Sequence, residues 1–127
     1  QVKASAIDIA GAQSGWSNAL SITVVSNSPP NRPSNPPVGP TVVAVNTPAC
    51  YTSSAVDPDG DTVQLEFSFG DGVNNYTKTP FVNSGTPVTA CHIWTTIGNK
   101  YSVFARAYDS HGARSDWNSF SPSVTVQ

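Results

Sequence analysis

Four aspartates are the side chains of this sequence with the clearest capacity for chemistry. "DPDGD" places Asp57, Asp59 and Asp61 within five residues, and "YDSHG" adds Asp109. Carboxylates this close repel one another unless a cation or hydrogen-bond donors offset their charge. Carboxylate oxygens are hard ligands of the kind that Ca²⁺ prefers, so the pattern predicts a calcium site.

An EF-hand is excluded as the form of that site. If Asp57 begins the loop, its sixth residue is Thr62 rather than Gly and its last ligand position is Ser68 rather than Glu. The competing interpretation is that Asp and Gly shape the loop through hydrogen bonds to the backbone, with no ion. The sequence leaves both interpretations open.

Cys50 and Cys91 are the two cysteines of the chain. An even number in a chain rich in Ser and Thr favours a disulfide, which persists in oxidising compartments. The alternatives are two free thiols and a metal site with His92, although alternation along a strand directs His92 away from Cys91. Closing the long loop between the cysteines would stabilise the fold by roughly 4 kcal/mol.

The remaining polar motifs do not indicate an enzyme. Neither His92 nor His111 has a nucleophile and an orienting carboxylate at a recognisable spacing. "NYT" at 75–77 makes Asn75 a candidate N-glycosylation site on a predicted hairpin. We therefore expect a protein without catalytic activity.

The composition predicts an all-β protein. The chain is rich in Ser, Thr and Val, contains 9 Gly and 11 Pro, and has no apolar run at helical spacing. Its six basic residues are scattered and its net charge is −2, which argues against a nucleic-acid partner. No apolar run approaches the length of a membrane span, so we expect no direct membrane insertion by this segment.

Seven strands are predicted downstream of a proline-rich segment at residues 26–40, which we interpret as a semi-rigid linker. This number of short strands is typical of an immunoglobulin-like β-sandwich. "GDG" at 70–72 predicts a tight two-residue hairpin turn. The predicted strands cover residues 41–45, 49–56, 61–69, 73–78, 87–94, 100–108 and 121–126.

Alternation within the strands selects the core. It turns both cysteines to the outside of one sheet and turns the large aromatic side chains inward. The predicted core anchors are Trp94, Trp117 and Tyr101.

The opening of the chain repeats its end. "VKASAIDIAGAQSGW" at 2–16 matches "VFARAYDSHGARSDW" at 103–117, with Asp8 on Asp109 and Trp16 on Trp117. One extra residue then brings "SITV" at 21–24 onto "SVTV" at 123–126. The match predicts a tandem module of about 100 residues. Residues 1–25 are then an orphan β-hairpin from another copy, and 41–127 form a complete sandwich.

This second domain resembles a PKD (polycystic kidney disease type) domain, of the kind repeated in archaeal and bacterial surface or secreted proteins. The motifs that carry the resemblance are "DPDGD" at 57–61, "FGDG" at 69–72, "HIW" at 92–94, "YSVFARAYDSHGARSDW" at 101–117, and the proline-rich entry. Phe69 stands where the family usually has Trp, and the cysteines are not part of its general pattern.

The resemblance adds to the expected site, and other features of the sequence indicate a role. Some PKD domains bind Ca²⁺ through aspartates in this region, and Asn31 of the entry segment is a candidate further ligand. The internal repeat, the stiff proline-rich linker, the low charge and the lack of a catalytic set favour an extracellular or cell-surface spacer module of a tandem-repeat, stalk or filament protein. Residues 1–25 would join neighbouring repeats or identical subunits head to tail by strand addition. The alternative is a carbohydrate- or protein-binding accessory domain of a secreted enzyme.

Overall fold

The computed structural model describes residues 26–72 and 76–127, apart from the side chains at 99 and 100. The predicted hairpin at 1–25 and the candidate glycosylation site at Asn75 lie outside the described residues. Those residues form β-strands, turns and extended segments with no helix, as predicted. The strands are β1 (Val42–Val43), β2 (Pro48–Ser53), β3 (Val63–Ser68), β4 (Tyr76–Lys78), β5 (Val88–Ile93), β6 (Gly98–Ser102), β7 (Phe104–Asp109) and β8 (Ser123–Val126).

The strands form three sheets within the described residues. β4, β3 and β7 make an antiparallel sheet in that order, and β2 pairs with β5. β8 lies between β6, which is antiparallel to it, and β1, which is parallel to it. Inward side chains from all three sheets share one hydrophobic core, so the architecture is a β-sandwich.

One predicted strand serves two sheets. Residues 100–108 were predicted as a single strand, but the chain changes partners at Val103, between β6 and β7. β6 pairs with β8, whereas β7 pairs with β3. Val103, where the pairing changes, is fully buried. β6 and β7 therefore cover the core as parts of two different sheets.

Aromatic rings fill the centre of the core. Trp94 is 1 % exposed and lies edge-on to Tyr51 and Phe69, at ring-centroid distances of 6.1 and 5.9 Å. Its indole N–H donates to the Phe69 carbonyl, which satisfies the buried polar atom. Tyr101 packs against the same group at 5.7 Å from Trp94.

Trp117 does not belong to this core, contrary to the predicted anchor. Residues 113–118 run beside β7, and there Ser115 and Asn118 point inward and accept the N–H groups of Ala107 and Ala105. Trp117 is consequently turned to the outer face of the sheet and is only partly buried. Alternation through an irregular segment cannot be counted from a distant strand, which is why the sequence misplaced this ring.

The turn predicted at 70–72 follows Ser68, where β3 ends. Ser68 pairs with Tyr76 of β4, and residues 69–72 lie outside any strand. Gly70 has φ of +79°, which suits glycine, and a Cβ there would lie 2.8 Å from the backbone of Ser102.

Residues 26–40 lie along the sandwich rather than apart from it. Val38 exchanges two backbone hydrogen bonds with Thr52 of β2, and the Asn31 N–H donates to the Val56 carbonyl. Pro30, Pro33 and Pro37 are buried. Within the described residues, the structural unit therefore includes the segment predicted to be a linker.

Candidate functional site

The aspartates meet at one end of the sandwich because β3 and β7 are paired. Val63, the first residue of β3, lies opposite Asp109, the last residue of β7. The loop that carries Asp57, Asp59 and Asp61 leads directly into Val63, so it ends beside Asp109. The convergence of the two loops therefore follows from the register of a single strand pair.

Asp57 organises its own loop. One carboxylate oxygen, Oδ2, accepts the backbone N–H groups of Asp59 at 3.0 Å and Asp61 at 3.1 Å. Gly60 closes the turn with φ of +77°, and its N–H donates to the Asp57 carbonyl. This is the loop-shaping role that competes with the metal interpretation, and half of the Asp57 carboxylate performs it.

The second oxygen of the Asp57 carboxylate has no hydrogen-bond partner. Asp57 is 3 % exposed, yet its Oδ1 accepts no hydrogen bond, and neither does the buried Oδ2 of Asp61. Ligand oxygens of Asp57, Asp59 and Asp61 lie within 4.8 Å of one another. Buried polar atoms normally have a partner. The buried Asp57 Oδ1 without a partner, beside the carboxylates of Asp59 and Asp61, is a donor of the hard oxygen type that divalent cations prefer.

Asp109 is nearby but is engaged in other contacts. Its Oδ1 accepts the N–H groups of His111 and Ala113, both at 2.9 Å, and its Oδ2 accepts the Asn27 side-chain amide at 2.7 Å. Burial raises the pKa of Asp109, but these hydrogen bonds outweigh it and lower the pKa below its ordinary value. Asp109 is therefore a charged loop anchor, and it is not one of the three clustered carboxylates.

The entry segment completes this end of the molecule. The Ser28 N–H donates to Asp59 Oδ2 at 2.6 Å, close to the contact between Asn27 and Asp109. Between these contacts lies an open cavity of about 270 Å³ that is lined by Ser26, Asn27, Asp59, Asp61 and His111. The His111 ring Nε2 is 3.4 Å from Asp61 Oδ2.

The asparagine at the site is not the one singled out from the sequence. Asn31 is exposed, and its backbone N–H donates to the Val56 carbonyl. Asn27 reaches Asp109 instead. The entry segment contains Asn27, Asn31 and Asn35, and nothing in the residue pattern distinguishes them. Which of them reaches the loops depends on how the segment lies on the sandwich.

The cysteines form the predicted disulfide. Cys50 of β2 lies directly opposite Cys91 of β5, and their sulfurs are 1.96 Å apart. Both residues are exposed, while their neighbours Tyr51 and Ala90 are buried, as alternation predicts. The disulfide links β2 to β5 on the outer face of this two-stranded sheet.

Each of the two histidines contacts neighbouring side chains. The His92 ring stacks on Phe69 at 4.4 Å, and its Nε2 lies 2.7 Å from Asp71 Oδ2. His92 therefore covers the ring that stands where the resembled family usually has Trp. His111 lies in the turn beside Asp61.

Comparison with solved structures assigns the family. The chain is 32 % identical to the PKD domain of an M14-like peptidase from Thermoplasmatales archaeon SCGC AB-540-F20, with a TM-score of 0.63. The match covers 80 % of this chain and 98 % of that domain. This chain belongs to the PKD domain family. The immunoglobulin-like sandwich predicted from the resemblance is thereby confirmed.

A second solved structure is more distant from this PKD domain. It is the CARDB domain of a Pyrococcus furiosus protein, in complex with di-metal ions, at 14 % identity and a TM-score of 0.47. That match covers 81 % of this chain and 97 % of the other. No family model and no curated protein matches the chain. Among the described residues, no helix is long and apolar enough to cross a membrane.

Proposed function

We propose that this PKD domain is a non-catalytic spacer module that joins its neighbours end to end in an extracellular or cell-surface protein. The observation that carries the proposal is that the chain enters the sandwich at one end and leaves it at the other. Such a module sets the distance and the direction between its neighbours, and it needs no ligand to do so.

The two ends are fixed by the strand register. Asn27 contacts Asp109, the last residue of β7, at the end where the aspartate loops lie. β8 runs antiparallel to β6, and its last residue Val126 lies opposite Gly98, the first residue of β6. The Gln127 carbonyl accepts the Val45 N–H at that far end. Residues 26–41 thus run along the whole sandwich before the first strand begins.

The internal repeat indicates how successive modules would follow one another in an array. Because "SITV" at 21–24 aligns with "SVTV" at 123–126, Val25 holds the place of Gln127. The repeating unit is therefore residues 26–127, and each unit would begin with its own entry segment. Units repeated in this way would extend along one axis.

A series of one, two and three copies of residues 26–127 tests the proposal. Small-angle scattering should show a maximum dimension that rises by about 35 to 40 Å per copy, the length of the run from Gly98 to Asp109 at roughly 3.3 Å per residue. Copies that fold back on one another, with a maximum dimension that hardly changes, would contradict it.

Ca²⁺ is the proposed ion for the aspartate end. The support is the closeness of the Asp57, Asp59 and Asp61 carboxylates, together with the buried Asp57 Oδ1 that has no hydrogen-bond partner. Ca²⁺ would neutralise these charges and complete the contacts of atoms that the protein leaves unpaired. Because Ser28 donates to Asp59, neutralising that loop would also hold the start of the entry segment.

Location and partners follow from the same proposal. The Cys50–Cys91 disulfide suits an oxidising compartment such as the cell exterior. Residues 1–25 would join the module to a preceding repeat or to an identical subunit, head to tail. Sizing of the full chain tests the second arrangement, because a concentration-independent monomer whose first 25 residues resist protease would contradict assembly between chains.

A second candidate function is that of an accessory domain of a secreted enzyme. The observation that favours it is the 32 % identity to a PKD domain that is part of an M14-like peptidase. The two functions are compatible, since a spacer can separate a catalytic domain from its anchor. Purifying the native protein and testing it for peptidase activity distinguishes a surface array from an enzyme appendage.

A further inference from the structure

An open cavity lies between the entry segment and the irregular segment that follows β7. It has a volume of about 390 Å³, and two arginines line it, Arg32 from the entry segment and Arg114 from the segment after β7. Asn31 and Asp116 also contribute to its lining. Both arginines are exposed, so a ligand can reach them from solvent. We call this site the arginine cavity.

The basic side chains that the structure describes are four, and they lie in two places. Lys78 and Arg106 contact aromatic rings on the outer face of the β4–β3–β7 sheet, and Arg106 also pairs with Glu66. Arg32 and Arg114 form no ion pair with a described carboxylate. In a protein of net charge −2, both described guanidinium groups that lack an ion-pair partner therefore line one cavity.

The entry segment holds Arg32 at a fixed position. Arg32 lies between two buried prolines, Pro30 and Pro33. The N–H of the preceding residue, Asn31, donates to the Val56 carbonyl at 2.9 Å. Proline fixes φ, so the backbone on both sides of Arg32 has little freedom.

The other side of the arginine cavity is fixed by β7. Arg114 lies opposite Tyr108 in an isolated β-bridge. The N–H of the next residue, Ser115, donates to the Ala107 carbonyl at 2.8 Å. Because both arginines extend from restrained backbone, a ligand between them has less chain entropy to overcome.

The internal repeat indicates that the fold does not need an arginine at position 114. The residues that flank Arg114, which are Ala113 and Ser115, have the same types in the opening copy. Between them, Gln13 takes the place of Arg114. The positive charge is therefore particular to this module, which points to a role other than forming the turn.

We propose that the arginine cavity binds a doubly charged tetrahedral oxyanion, which is a phosphate or sulfate group. Arginine presents its N–H donors as a planar fork that matches the oxygens of such a group. Two guanidinium groups balance two negative charges, whereas one guanidinium balances a carboxylate. This site goes beyond the spacer function and does not depend on it.

A single oxyanion suits the arginine cavity better than a nucleic acid does. Nucleic-acid binding requires several cations that follow successive phosphates. Here the described cations of the cavity are two, and Asp116 lines the same cavity and would repel a second phosphate. A free ion and a phosphate ester on another molecule present the same chemistry, and the experiment separates these two sources.

Nuclear magnetic resonance titration of the isotope-labelled full chain tests the proposal. The ligands are inorganic phosphate, inorganic sulfate, glycerol phosphate and acetate, at low salt, with chelator present, and at about pH 8, where phosphate carries close to two negative charges. The backbone amides of Arg32 and Arg114 should shift saturably with the dianions, with a dissociation constant of about 1 mM or lower. Acetate should bind at least about tenfold more weakly, because it lacks the second charge.

Variants of single charges identify the residues that bind. Arg32→Gln and Arg114→Gln should each weaken dianion binding about tenfold, as expected for the loss of a charge-assisted hydrogen bond. Lys78→Gln is the matched control, since it removes the same charge from an exposed side chain outside the arginine cavity. Its affinity should stay within about twofold of the wild type. All variants should keep the wild-type near-ultraviolet circular dichroism.

Several results would overturn the proposal: no saturable shift with any dianion, acetate that binds as tightly as the dianions, wild-type affinity in either arginine variant, or equal weakening by Lys78→Gln. Glycerol phosphate that binds at least as tightly as inorganic phosphate would identify an esterified group as the ligand, and weaker binding would identify the free ion. None of these outcomes bears on the end-to-end extension measured by scattering.

Discussion

At the scale of single residues, the carboxylates of the aspartate end divide into those that hold backbone and those that are left unpaired. Asp109 and one oxygen of Asp57 bind backbone N–H groups, which shapes two loops. The other oxygen of Asp57 and one of Asp61 have no hydrogen-bond partner. Loop shaping and metal binding, alternatives in the sequence, are thus compatible in the structure.

The unpaired oxygens lead to a prediction about Ca²⁺. Adding Ca²⁺ at about 100 times its dissociation constant should raise the free energy of unfolding by about 2.7 kcal/mol, because the ion binds only the folded state. Asp59→Asn and Asp61→Asn should abolish most of this gain while leaving the Asp57 turn intact. Thermal unfolding with Ca²⁺ and with chelator measures the difference.

The matched control is Asp116→Asn, which changes an exposed carboxylate outside the cluster. It should retain the full response to Ca²⁺. A melting temperature of the wild type that is the same in Ca²⁺ and in chelator would contradict metal binding at the aspartate end.

Phe69 is a residue for which the packing predicts a large effect on stability. It is fully buried and contacts the rings of Tyr51, Trp94 and His92. Phe69→Ala should lower the free energy of unfolding by about 3 to 5 kcal/mol, since it removes the ring and leaves a cavity. Urea denaturation measures this loss. Phe120→Ala, at a position that is 75 % exposed, should change stability by less than about 0.5 kcal/mol.

At the scale of elements, the β2–β5 pair depends on its disulfide because it has only two strands. The bond joins residues separated by 41 positions. Replacing both cysteines with Ala should lower stability by about 4 kcal/mol in the chain-entropy model. Denaturation midpoints of the oxidised protein and the double variant test this. An unchanged midpoint would mean that the sheet is held by its core contacts alone.

The entry segment is tied to β2 by Tyr51, whose hydroxyl donates to the Pro40 carbonyl at 2.6 Å. Burial raises the pKa of Tyr51 above its ordinary value of 10.0. As the pH rises above that value, the unfolded chain loses a proton that the folded protein keeps. Below about pH 10, ionisation of Tyr51 therefore leaves the free energy of unfolding at its full value. That free energy falls as the pH rises from about 10 through the folded-state pKa of Tyr51.

Tyr51→Phe keeps the ring but cannot ionise. The variant should lose about 1 kcal/mol at neutral pH with the missing hydrogen bond. Its stability should fall less steeply than that of the wild type in the alkaline range. Parallel alkaline slopes for the two proteins would show that Tyr51 does not control this dependence.

Elements with regular alternation could be read from the sequence, and irregular segments could not. The outward cysteines and buried Trp94 follow from a period of two in β2 and β5. The change of sheet at Val103 and the outward turn of Trp117 depend on where strands twist and separate, which no residue type encodes. The contact of Asn27 with Asp109 depends on the path of a proline-rich segment, which has no side-chain period to read.

At the scale of the whole molecule, residues 26–127 enter the sandwich at one end and leave it at the other. The shared inward residues keep the sandwich, while outward residues such as Phe104 and Arg106 differ from those of the opening copy. An array built from such units could carry a separate surface on each module. Length would then come from the fold, and any binding specificity would come from the outer faces.

The separation of the two chain ends tests the end-to-end geometry most directly. Spin labels on Ser26→Cys and Gln127→Cys can be attached selectively, because the native cysteines are paired with each other. Pulsed electron paramagnetic resonance should then give a distance of about 35 to 40 Å, the length of the run from Gly98 to Asp109 at roughly 3.3 Å per residue. A distance of half that or less would place both ends on the same side of the sandwich and would contradict a spacer that extends in one direction.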